Sequence, residues 1–131
     1  MAIKPEGAEM AGEWTGRGKV RAREITGGAE LAIDGVTTQA RYYKPLVYEF
    51  FRKEFAIRPR YGDFEVELIL EHVGEAPALD LDNLAKALLD ALKGHIFFDD
   101  SQIARLLCER RPGERERISV RAVRRVVGSA P

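Results

Sequence analysis

The chain has one cysteine, Cys108, so it can form no disulfide within itself. A single thiol fits a reducing compartment, and a cytoplasmic setting is expected. No hydrophobic run approaches the ~20 residues that a membrane span requires. The opening Met-Ala-Ile-Lys-Pro-Glu-Gly has no apolar signal region, so neither a membrane partner nor export is expected. Histidine is scarce. His72 and His95 stand alone, with no second His or Cys at ligand spacing, so a structural role is the plainer reading of each. Net charge is lacking too, since 21 Lys and Arg balance 21 Asp and Glu. Nucleic-acid binders are usually basic, and the total argues against that class. The distribution argues the other way. From Arg105 to Arg125 there are eight arginines and three glutamates, whereas the stretch from Asp63 to Glu71 is acidic.

What is present suffices for one domain: 131 residues, 45% hydrophobic and 32% charged. Residues 1–27 read as an N-terminal extension, partly mobile. Within it Trp14 to Ile25 alternates weakly, anchored by Trp14, Val20 and Ile25, and Gly27-Gly28 reads as a turn. Residues 28–126 read as the main domain and 127–131 as a frayed tail. Glu30 to Ala40 suggests a hairpin turning at Asp34-Gly35, a pair suited to a type I′ turn. Pro45 then opens a helix with Leu46, Val47, Phe50, Phe51 and Phe55 on one face, ended by Pro59. Phe64, Val66, Leu68 and Leu70 alternate with Asp63, Glu65, Glu67 and Ile69, a strand with an acidic outer face. Ser101 to Arg110 and Arg117 to Val123 read as two further strands, joined at Pro112-Gly113 and expected to pair as a hairpin. In the second, Ile118, Val120 and Ala122 face inward. The pattern is α+β, a mixed, mostly antiparallel sheet with two helices packed on it.

The chemistry concentrates between Asp80 and Asp100. Leu81, Leu84, Ala85, Leu88, Ala91 and Leu92 make one helical stripe, with Asp80 or Asp82 as a cap and Gly94 as the stop. Ile96-Phe97-Phe98 reads as a short buried strand delivering Asp99 and Asp100. The expectation is that Asp80, Asp82 and Asp100 meet around a divalent cation. Magnesium takes oxygen ligands and keeps several waters, so two or three carboxylates on rigid elements suit it. Lys86, one turn after Asp82, would offset charge building on a scissile phosphate. The plainer reading makes the aspartates caps, Asp82–Lys86 a surface ion pair and Asp99-Asp100 a turn.

The run Asp80-Leu-Asp82-Asn83-Leu-Ala-Lys86-Ala-Leu-Leu-Asp90-Ala-Leu, followed by Gly94 and by Phe98-Asp99-Asp100-Ser-Gln102-Ile, closely resembles the signature of the RusA family of Holliday-junction resolvases. The resemblance implies a RusA-like fold and a homodimeric, magnesium-dependent endonuclease, with manganese a possible substitute. Such an enzyme nicks four-way DNA junctions in two symmetric strands, in recombination and repair. Asp80, Asp82 and Asp100 would be its essential carboxylates and Lys86 its assisting cation. Val73 to Leu79 stands where family members often carry a basic run and has no basic residue.

Arg115, Arg117 and Arg121 are candidate phosphate contacts. The alternative is a solvated outer face balanced by the acidic strand, which would leave little charge for DNA if the two strands are neighbours. Trp14, Tyr42 and Tyr43 suit either core packing or stacking on unpaired bases, and Cys108 reads as a core residue. Three functions stay open: the nuclease, a non-cleaving branched-DNA-binding or structural module of the same fold, and a magnesium enzyme acting on nucleotides or another phosphate ester.

Overall fold

Alternating apolar side chains build a five-stranded sheet in this computed structural model, which describes residues 10–126. The strands are β1 (Val20–Ile25), β2 (Gly28–Asp34), β3 (Phe64–His72), β4 (Ile103–Pro112) and β5 (Arg117–Arg124), and the helices are α1 (Tyr43–Lys53) and α2 (Leu81–Leu92). The order across the sheet is β1-β2-β5-β3-β4. Every neighbouring pair is antiparallel except β3 with β4. The fold is α+β, as the pattern implies.

One face of the sheet is apolar. Val20, Ala22, Leu31, Ile33, Phe64, Val66, Leu68, Leu70, Ile118, Val120 and Ala122 are all buried there with the inner stripes of both helices. From α2, Leu84, Leu88, Ala91 and Leu92 are fully buried, and each leucine contributes roughly 1.5–3 kcal/mol by leaving water. The stop at Gly94 takes the expected positive φ of 85°.

Several expected elements differ. The first hairpin turns at Thr26-Gly27 rather than Asp34-Gly35, with Ile25 opposite Gly28. Gly28 lies against β5, where a Cβ would run into the Ala122 carbonyl, so this close approach is open to glycine alone. Beyond Asp34 the chain leaves the sheet for a 3-10 turn at Ala40–Tyr42, while the Gly35 amide donates to the Glu116 carbonyl at 2.8 Å. The expected boundary at residue 27 falls inside the β1–β2 turn, so β1 belongs to the common sheet. Residues 1–9 of the expected extension and the expected tail 127–131 lie outside the described residues. Trp14 is 46% exposed and covers the Arg23 guanidinium at 4.8 Å rather than anchoring the core. Helix α1 stops at Lys53, six residues before Pro59, with Phe55 folded back against Phe50 and Phe51. Ile96 and Phe97 are buried as expected but build no strand, since Phe97 makes only isolated bridges to Arg60 and Lys93, and Phe98 is exposed.

The largest difference is the C-terminal pair. Strands β4 and β5 are separated by β3 and do not form a hairpin. Two physical reasons account for this. An amphipathic helix between two strands returns the second parallel to the first, because its apolar stripe must lie on the sheet they share. Strand β5 carries Arg117 and Arg121 on its outer face, and its register sets them opposite Asp34 and Glu30 on one side and Glu71 and Glu67 on the other. A central place satisfies those charges. Strand β4 lacks clean alternation, is exposed along most of its length and takes the edge. The Pro112-Gly113 turn crosses the end of β3, where the Gly113 amide donates to the His72 carbonyl at 2.8 Å.

Candidate active site

The start of α2 and the turn before β4 position the acidic residues. Leu79 is buried and fixes the approach to the helix. Asp80 occupies the N-cap position with extended backbone, yet its side chain caps nothing. Its Oδ2 accepts instead from the Asn83 side chain at 3.3 Å. Asp82 Oδ1 accepts from the Asn83 amide at 3.0 Å. Lys86 makes no ion pair with Asp82 or with any other described residue. The plainer reading of these residues, as cap and surface pair, is not what the side chains do.

Asp99 and Asp100 have separate roles. Asp99 caps the 3-10 turn Asp100–Gln102, its Oδ2 accepting from the Ser101 amide at 3.0 Å. Hydrogen bonds from the Ser101 side chain, then from its backbone, hold the Asp99 carboxyl below its usual value, with Lys93 adding attraction at 3.8 Å. Asp100 is exposed and has no side-chain hydrogen bond or ion pair among the described residues. Gln102 locks the turn. Its Oε1 accepts from the Phe98 and Asp99 amides at 2.7 and 3.0 Å, and its Nε2 donates to the Arg60 and Gly62 carbonyls at 2.9 and 2.8 Å. Phe97, fully buried against Phe64, anchors the segment from below.

Asp82, Lys86 and Asp100 line one cavity of about 490 Å³, walled by Leu81, Leu89, Leu106 and Cys108. Burial pushes the Cys108 thiol up, so it stays protonated and inert near neutral pH. Asp80 lines an adjoining cavity of about 810 Å³, and Lys86 lines both. As the side chains lie, no three acidic, His or Cys residues among the described ones stand close enough to share an ion. A family model described as Endodeoxyribonuclease RusA matches residues 37–122.

The chain belongs to the RusA family.

Membership indicates an endonuclease of the Holliday-junction-resolvase type, and hence an affinity for junction DNA. No curated protein matches the chain. The match begins at residue 37, so β1 and β2 lie before it. No helix among the described residues is long and apolar enough to cross a membrane.

The candidate DNA contacts of the C-terminal strand lie away from these cavities, on the outer face of the sheet. Arg117 stands 3.3 Å from Asp34, which also accepts twice from Arg21 at 2.9 Å. Arg121 stands 3.8 Å from Glu30, which Arg23 also holds. Arg115, in the loop before β5, is exposed and has no ion pair among the described residues. Tyr43 is buried and donates structure rather than a stacking face, its hydroxyl accepting from the Thr37 amide at 2.8 Å. His72 is buried, and its Nδ1–H donates to the Gly74 carbonyl at 3.0 Å. His95 packs between Tyr48 and Phe51, and burial lowers its imidazole below the usual value.

Sequence reasoning took Gln102 only as part of the signature and missed its role in locking the turn, although Asp99-x-x-Gln102 is a capping-box spacing and that signal was readable. It also missed Asn83 as the tie between Asp80 and Asp82. Arg41 and Lys44 at the entry to α1 and Arg110 in β4 carry no shared signal, because distant parts of the chain bring them together around Asp80.

Proposed function

We propose that this protein is a divalent-metal-dependent endodeoxyribonuclease that resolves four-way junctions by paired symmetric nicks, acting as a homodimer in recombination and repair. The observation that carries the reading is the cavity shared by Asp82, Lys86 and Asp100, whose charged groups are spent on no ion pair. The donor set fits a hard cation. Asp80, Asp82 and Asp100 offer exposed carboxylate oxygens, and magnesium favours oxygen ligands while keeping several waters. Asp80, Asp82 and Asp100 would hold it. The chemistry such an ion supplies when bound, with manganese as a substitute, is Lewis-acid polarisation of the phosphate and of the attacking water.

The chain's own residues do the rest. The turn locked by Gln102 fixes where the Asp100 carboxylate stands relative to α2. Asn83 orients Asp80 and Asp82 from within the helix. Lys86 meets the negative charge that builds on the phosphoryl oxygens as water attacks phosphorus in line and the opposite P–O bond breaks. A two-fold dimer places one such site at each of two equivalent strands. Of the three candidates Arg115, Arg117 and Arg121, Arg115 is the one left for phosphate contact, because the other two are engaged on the outer face.

The test is a gel assay of the protein with a four-way junction and magnesium. Paired symmetric nicks are expected, and Asp82→Asn or Asp100→Asn should reduce cutting by at least a hundredfold while junction binding survives. Magnesium-dependent nicking retained by either variant would defeat the assignment. The spacing of the acidic side chains, no three of which stand close enough among the described residues to share an ion, favours a second reading, a non-cleaving branched-DNA binder. A band shift without nicks in the same gel would select it.

A further inference from the structure

The Asp80 cavity lies between the Thr38–Lys44 segment, the first turns of α2 and strand β4. Arg41, Lys44, Lys86 and Arg110 line it, and its acidic members are Asp80 and Asp90. Lys44 is paired with Asp90 at 3.9 Å. Arg41, Lys86 and Arg110 have no ion pair or side-chain hydrogen bond among the described residues. This contrasts with the opposite face of the sheet, where Arg21, Arg23, Arg105, Arg117 and Arg125 each hold a carboxylate.

Strand β4 shows how the sorting arises. Its residues Leu106, Cys108 and Arg110 pair in register with Val66, Leu68 and Leu70, so they share the helix-bearing face. Arg105 and Arg111 fall on the other face, beside Glu67 and Glu109. One arginine of the strand is thereby sent unpaired toward α2. Cations gathered around one concavity repel one another, and an anion between them removes that cost. The space, about 810 Å³, exceeds one phosphate group and suits a length of backbone. Lys86 also lines the Asp82–Asp100 cavity, so the two cavities meet at that side chain.

We propose that Arg41, Lys44 and Arg110 form a phosphate-binding channel for the DNA strand that flanks the scissile bond, seating it on the Asp80 side of α2. The proposal rests on the endonuclease reading above and names the surface by which that site takes its substrate. These are positioning residues, since they touch the flanking backbone and not the reacting phosphorus.

The experiment measures binding of a four-way junction across a salt series, with calcium replacing magnesium to prevent cutting, alongside cutting of the same junction in magnesium. The double variant Arg41→Gln with Arg110→Gln should bind about tenfold more weakly for each cation removed. Its slope of log affinity against log salt should shrink by roughly 0.9 per lost phosphate contact. The loss should appear in KM more than in kcat, and Arg41→Lys with Arg110→Lys should restore most of the slope. A merely structural role would leave the slope unchanged. Both side chains are exposed and unpaired, so the melting temperature should hold and certify the fold. If the unsubstituted protein cuts but the glutamine variant keeps its slope, this channel is wrong and the endonuclease reading stands. If the unsubstituted protein binds without cutting and the slope still falls, the channel stands and the endonuclease reading fails. An equal or larger loss from Arg117→Gln with Arg121→Gln would move DNA to the outer face and overturn the channel.

Discussion

Asp99 and Asp100 are adjacent, both acidic and indistinguishable by residue type, yet the fold gives them opposite work. One carboxylate is consumed as a cap by Ser101 and the other is left open beside Asp82 and Lys86. Turn geometry, not residue type, decides this. His95 shows the same limit. A lone histidine is readable as structural, but its position between Tyr48 and Phe51, with Nε2 buried and without a partner, is not. Burial lowers its imidazole, so the unfolded chain takes up the proton at a higher pH than the folded one. This contribution to stability is complete above the usual imidazole value and is lost as pH falls through that value toward the depressed one. Thermal melts at about pH 8 and about pH 5.5 should show a smaller acid loss for His95→Phe than for the unsubstituted chain. An identical loss in both would contradict the assignment.

At the level of elements, the two helices and strands β2, β3, β4 and β5 are legible because hydrophobic periodicity is a local property. Their arrangement is not local. The place of β5 follows from which carboxylates stand on either side of it, and those neighbours come from distant parts of the chain. The Ile96–Phe98 stretch is apolar enough for a strand, but its side chains serve to anchor the next turn, and Gln102 rather than a ladder ties that turn down. Removing the tie with Gln102→Ala should cost about 2–4 kcal/mol, at ~1 kcal/mol net for each of the bonds lost. It should also lower cutting by loosening the turn that carries Asp100. Urea denaturation beside the junction assay checks both effects, and a variant with unaltered stability and cutting would show that the turn holds without the glutamine.

For the whole molecule, a formal charge of zero conceals two unlike faces. The outer face of the sheet pairs its arginines with Asp34, Glu30, Glu65 and Glu67, whereas the helix-bearing face leaves Lys86, Arg41 and Arg110 unpaired near the open carboxylates. Summed composition therefore argues against nucleic acid where the three-dimensional sorting argues for it. The account depends on carboxylates from α2 and from the turn before β4 serving one cation. Manganese binding followed by electron paramagnetic resonance, in the absence of DNA, tests that dependence most directly. One strong site per chain is expected, weakened at least tenfold both by Asp82→Asn and by Asp100→Asn. Manganese affinity unaltered by Asp100→Asn would mean that the two elements do not share an ion, and would contradict the account.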